Sequence, residues 1–460
     1  MRFTNQLRWS SGVSRNAGLG LLVALLMAGI IGNMLQLSVL FNVYFVFGSV
    51  AVMLAIAWLG TWPAILIGTL AGAYTYVFWE NPVTVAIFIL EAVVVSLLYR
   101  HVVKNLIIAS LIFWTVVAAP IGFIFFPYLL GWSEELTQLV YLKQAVNGVL
   151  NTVIASVILV LSGLSKRPWL PTAAPLLALR HLLFCALLSV TLLTGIPLVL
   201  YEGYSMRQAQ EGFVEQTLTS HANELQQRLL EPEAEQRIAY HLNRVRGSSG
   251  VDIGVLDASG RLLGQVGILR SLNLQLGDEL RPINERISMW LPGRLETPAW
   301  RFSQGHYVLD VPLQGDTEAD RVVLETPALP TVRAMEAYRI VLFMMLGAVI
   351  VVGVVLAELL SRLISQPLLQ LARAGKTLSS SIASGNVPTL PRSRIDEFHT
   401  LSRLLGEMSQ ELSGAFKQLR DTQSNLEVEV EQRTKALASS NDMLSSVLNS
   451  AADFAVIATD

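Results

Sequence analysis

The sequence predicts a mostly α membrane protein with eight transmembrane helices and a small α+β domain outside the membrane. Three observations carry this reading. Hydrophobic residues make up 52% of the 460 and charged residues only 15%, and the mean hydropathy is +0.50, well above that of an ordinary soluble domain. Apolar runs close to the ~20 residues that a helix needs to cross the hydrocarbon core recur along the chain. Between the last two runs the pattern turns polar, and its period changes from helical to alternating.

Six runs fill the first third, at roughly 17–36, 40–58, 61–79, 83–99, 105–129 and 141–164. They define a six-span membrane unit over 1–165, followed by a linker at 166–180. A seventh span at 181–201 and an eighth at 340–360 bracket the polar segment 202–339. Basic residues concentrate in cytoplasmic loops. Arg2, Arg8, Arg15, Arg100, Lys104, Lys166, Arg167 and Arg180 fall on one side, and Glu80, Glu134 and Glu135 on the other, where Lys143 is the exception. This places both termini in the cytoplasm and 202–339 outside. The basic N-terminus reads as the lead-in to an uncleaved first span.

Composition excludes several functions. A net charge of -2, from 33 basic and 35 acidic residues, leaves no basic footprint for nucleic acid. The single cysteine, Cys185, allows neither an intrachain disulfide nor a cysteine metal cluster. Six scattered histidines suggest no metal site, and no cofactor is expected. Catalytic signatures are absent from 1–460: there is no P-loop, phospho-acceptor helix or cyclase motif.

Two groups of residues are candidate ligand-binding sites. Glu91 sits mid-span in AIFILEAVVVSLL, and an ionisable group there must face protein or water. Gln144, Asn147 and Asn151 share one face of the sixth span. Together they form either a polar pocket for a small ligand or proton, or hydrogen bonds that fix the bundle. In the outer segment, Trp300, Arg301, His306, Tyr307 and Asp310 fall on expected strands, where they either line a pocket or pack a core.

The outer segment opens with a helix whose stripe is Val214, Leu218, His221, Leu225 and Leu229. VDIGVLDASGRLLGQVG reads as a hairpin, LRPINERISMWL as a helix, and AWRFSQGHYVLDVPL and DRVVLETPAL as strands before a return helix. This layout resembles the Cache/PAS-like sensor domains of bacterial receptors, which implies a periplasmic location and an inner-membrane protein.

After the eighth span, Ile364, Leu368, Leu371 and Leu378 form one seam, and Phe398, Leu401, Leu405, Met408 and Leu412 form another across the connector SSSIASGNVPTLPRSRI. Two such helices bury their stripes as a four-helix bundle of two copies. Pro367 and the Asp396-Glu397-Phe398 motif resemble those of a HAMP linker, the relay module of membrane receptors, here spanning 361–414. Gly375 on the first seam would loosen packing there. A coiled coil is expected over 415–443, with Leu419, Leu426, Val430, Leu437 and Leu444 on its seam. QRT at 432–434 resembles the connector that joins HAMP to PAS domains, and 444–460 resembles the first helix and strand of a PAS domain.

These resemblances imply a homodimeric, lipid-embedded receptor for an unknown small molecule. Its output enzyme would lie beyond this chain and would be a diguanylate cyclase or, as the alternative, a histidine kinase. A reading from another class is a small-solute permease built on the six-span unit.

Overall fold

The computed structural model describes residues 15–41, 43–79, 82–164, 179–229, 238–293, 298–313, 319–383 and 395–457. It is 77% helical and divides into two compact units, residues 1–358 and 359–460.

In the first unit, α1 (Arg15–Met34) leads into a two-stranded antiparallel hairpin, β1 (Leu37–Leu40) and β2 (Val43–Phe45). The short α2 (Gly48–Trp58), α3 (Thr61–Trp79) and α4 (Pro82–Leu98) follow. A helical passage then runs through α5 (Leu106–Ile112), a π-helical stretch (Phe113–Ala118) and α6 (Ala119–Leu130) to α7 (Glu134–Leu164). Among the described residues, six helical stretches are long and apolar enough to cross a membrane: Asn16–Met34, Pro82–Val103, Leu106–Tyr128, Glu134–Gly163, and parts of His181–Leu229 and Leu329–Lys376. A multi-pass membrane protein has this character. The expected eight spans are not matched in full, because 40–58 is not one span. Leu37–Phe45 is rich in β-branched and aromatic residues and pairs as a hairpin, and the 11 residues of α2 reach only about 16 Å. α3 keeps its expected bounds but is not one of the six.

α2 is central. It packs against α1, α3 and α7, and its residues from Gly48 to Ile56 are almost all buried. Asn33, fully buried at the end of α1, fixes its start. The Asn33 Oδ1 accepts the Gly48 N–H at 2.7 Å, and its Nδ2 donates to the Ala71 carbonyl at 2.8 Å. Gly32 is needed beside it, since a Cβ there would lie 2.8 Å from the Phe47 carbonyl oxygen. Cys185 is buried in the helical core.

The sheet domain lies between α8 (Leu179–Leu229) and α11 (Leu329–Ala383). α9 (Ile238–Ser249), β3 (Asp252–Leu256), β4 (Leu262–Val266), β5 (Glu279–Pro282), β6 (Ile287–Leu291), α10 (Pro298–Ser303), β7 (His306–Pro312) and β8 (Arg321–Pro327) make it up. The strands form one antiparallel sheet in the order β4-β3-β8-β7-β6-β5. One face packs on the ends of α8 and α11 through Leu218, Leu225, Leu324, Tyr307 and Val332. The other carries a smaller cluster of Leu256, Leu269, Trp290, Val308 and Val323. Two expectations are corrected. LRPINERISMWL is the β5–β6 hairpin rather than a helix, because Asn284 Oδ1 accepts the N–H groups of Arg286 and Ile287, both at 2.9 Å, and turns the chain. Trp300 and Arg301 lie on α10, not on a strand, after Pro298, which suits a first helical turn.

In the second unit, α11 continues through Pro367 and Gly375 to Ala383, and α12 runs over Asp396–Ile457. Asp396 and Glu397 occupy the first turn of α12, where acidic side chains complement the helix dipole. The expected connector is helical as far as Ala383, and 384–394 lies outside the described residues. Of the helix and strand expected over 444–460, the described residues show helix alone, through Ile457, and 458–460 lie outside them; a strand needs a neighbour for its backbone groups, whereas a helix supplies its own.

Replacing Asn33 with Leu strands the buried Gly48 N–H, and an unpaired buried group costs about 1–3 kcal/mol. A thermal melt of the purified chain should move to lower temperature, and an unchanged melt would show that Asn33 does not hold α2.

Candidate functional site

The sequence places one carboxylate deep in the helical unit, and the fold surrounds it. Glu91, on α4, is 1% exposed. Ser49 Oγ, in the first turn of α2, donates to Oε2 at 2.7 Å, and Trp114 Nε1 donates to Oε1 at 3.1 Å. Both carboxylate oxygens are therefore bonded, and the acid lies by the N-terminal turn of α2, where negative charge is favoured. Trp114 belongs to the π-helical stretch, a local widening that redirects side chains. Its backbone carbonyl accepts the hydroxyl of Tyr141. Its indole occupies the place a Cβ would take at position 148, so Gly148 on α7 makes the approach possible.

Glu91, Gln144 and Asn147 line a common cavity with Ser49 and Trp114. Its volume is about 10 Å³, room for roughly one water molecule. As folded, the site can hold an acid and a water or small ion, and an organic ligand does not fit. Asn151 is one turn further along α7. Asn147 and Asn151 both donate from Nδ2 to the Val46 carbonyl at 2.9 Å. Each Oδ1 is buried without a hydrogen-bond partner among the described residues. The two amides thus close the open backbone between β2 and α2. Lys143, 2% exposed, sets its ammonium 5.3 Å above the Trp79 ring, a cation–π contact.

The outer residues do not converge. Arg301 clamps a loop, donating to the Pro292 carbonyl at 2.7 Å and to Glu279 at 2.9 Å. Asp310 pairs with Arg321 between the neighbouring inner strands β7 and β8 at 3.4 Å. Tyr307 is fully buried on the opposite sheet face, where burial and the nearby Glu211 carboxylate raise its phenol above the usual value. Nothing is described of the Trp300 side chain.

A second polar cluster lies on the smaller sheet face. Glu325, fully buried on β8, accepts the backbone N–H groups of Arg270 and Ser271 at 2.9 and 2.8 Å, together with the Ser271 hydroxyl. Arg270 Nη1 donates to His306 Nε2 at 2.8 Å, and its guanidinium lies 5.7 Å from the Trp290 ring centre. Of these, only His306 stood out in the sequence. A lone acid at an inward position of DRVVLETP is the signal for Glu325. Nothing local marks Arg270 or Ser49, whose roles depend on distant elements. Among the described residues, no group of three or more His, Cys, Asp or Glu side chains is arranged to hold a metal ion.

Burial, followed by the Arg270 charge, holds the His306 imidazole below the usual histidine value, against the opposite pull of Glu325 and Asp252. On unfolding, the ring takes up a proton that the folded domain refuses. Stability from this group is therefore complete above the ordinary value near 6.5 and is lost as the pH falls below it. The melting temperature should drop between about pH 7 and about pH 5, and His306→Gln should flatten that slope. Equal slopes in the two proteins would contradict the assignment.

No protein-family model, curated protein or solved structure matches the chain.

Proposed function

We propose that the chain is a bacterial inner-membrane signal receptor that relays a ligand or membrane signal through HAMP-like helices and a dimeric coiled coil to an output enzyme. The observation that supports this most is the continuity of α11. β8 ends at Pro327 and α11 begins at Leu329, so one unbroken helix contains the exit of the sheet domain, an apolar span and the segment that resembles the first HAMP helix. A change in the sheet domain has a direct covalent route along that helix. The sheet domain is the periplasmic sensor in this reading, and both termini are cytoplasmic.

α12 supports the dimer. Leu419, Leu426 and Leu437 are 67%, 54% and 71% exposed and fall on a heptad seam. A leucine taken out of water contributes about 1.5–3 kcal/mol, which a second copy of the same stripe supplies. Pro367, Gly375 and the Asp396-Glu397-Phe398 turn are the relay positions. Diguanylate cyclase is the favoured output, with histidine kinase as the alternative; both rest on the HAMP and PAS resemblances. The permease reading is less well supported, because the cavity at Glu91 takes about one water and no solute.

Cysteine crosslinking tests the dimer in a Cys185→Ala background. Leu419→Cys, Leu426→Cys and Leu437→Cys should each give disulfide-linked dimers on mild oxidation, while Asp421→Cys, on the far side of the helix, should not. Equal crosslinking at all four positions, or at none, would contradict a coiled coil along this seam.

A further inference from the structure

Where the β1–β2 hairpin meets the sheet domain there is a cavity of about 230 Å³. A cavity of about 150 Å³ accepts benzene, so this one has room for a six-membered ring with a substituent. One side comes from Ser38, Phe41 and Tyr44 of the hairpin region, and the other from Arg281 on β5, Met289 on β6 and Phe302 on α10. Arg207, on α8, also lines it. No acidic residue is among the lining residues.

The charges are unequal. Arg207 is held through Nε by Glu211 at 2.8 Å, which balances it and sets its guanidinium 5.3 Å from the Phe41 ring centre. Arg281 has no carboxylate partner among the described residues, and so the cavity has one guanidinium in excess. Such a fork pairs with a carboxylate through two parallel hydrogen bonds. Phe41, beside Arg207, also stacks on Phe302 with ring centres 4.4 Å apart, which gives the lining an apolar portion next to its charges. Ser38 and Tyr44 bring hydroxyl-bearing side chains to the lining.

We propose that this cavity binds a small organic carboxylate with a ring-sized apolar body, bridging the hairpin and the sheet domain. The site depends on these contacts alone and does not require that α12 relay a signal. It differs from the Glu91 cluster, which is too small, and from the His306 face of the sheet, which is filled by its own side chains. An anionic lipid headgroup carries a comparable charge, and the experiment separates it from a free carboxylate.

Equilibrium dialysis of labelled benzoate against the full chain in nanodiscs of zwitterionic lipid tests the proposal. Saturable binding is expected, with benzamide, the neutral isostere, failing to compete. Arg281→Gln, an exposed strand position, should weaken binding by roughly tenfold or more, and Arg281→Lys should weaken it less. Adding phosphatidylglycerol to the nanodisc should leave benzoate binding unchanged. Absence of saturable binding, equal competition by benzamide, or full affinity in Arg281→Gln would each overturn the proposal. Loss of benzoate binding in the anionic nanodisc would also overturn it, by assigning the site to lipid phosphate.

Discussion

A backbone that leaves helical geometry among apolar helices must find every hydrogen-bond partner inside the protein, because hydrocarbon offers none. The first unit meets this constraint at residues 46–48, where the hairpin gives way to α2. The Val46 carbonyl is taken by Asn147 and Asn151. The Phe47 N–H reaches the Gly32 carbonyl at 2.9 Å, and the Gly48 N–H reaches Asn33. Ser49, the next residue, bonds Glu91. Four consecutive residues are thus tied to α1, α4 and α7. A helix too short to span a membrane is thereby held at the centre of the bundle, and the Glu91 cavity is positioned by the same ties.

This arrangement explains what could be read in the sequence and what could not. The long apolar helices were legible because length and hydropathy alone decide them. Their ends were less so: α8 and α11 run far past their apolar cores, and α11 continues even through Pro367, a residue that ordinarily ends or kinks a helix. The run 40–58 misled because hydropathy does not separate a buried hairpin and short helix from a span. The amphipathic stripes at 364–378 and 398–412 were legible as helices, yet the absence of a stop before Ala383 was not.

Sites divide along the same line. Glu91 stood out as a lone charge in an apolar run, and Gln144 and Asn147 by their spacing, and the fold brings these three to one cavity. The partners that bond Glu91, Ser49 and Trp114, were invisible, since a serine and a tryptophan in an apolar chain are ordinary. In the sheet domain, reading β5–β6 as a helix hid which side chains share a face. Tyr307 and Asp310 lie on opposite faces of β7, a consequence of strand alternation. The Arg207–Arg281 cavity joins elements far apart in sequence and could emerge only from their packing.

Hydrogen–deuterium exchange across 46–52 tests this account most directly, comparing the native chain in lipid nanodiscs with an Asn147→Ala/Asn151→Ala variant. If the two amides hold the start of α2 by closing the Val46 carbonyl, exchange in 46–52 should accelerate in the variant while α4 is unchanged. Identical exchange in the two proteins would contradict the claim that these buried asparagines hold the centre of the bundle.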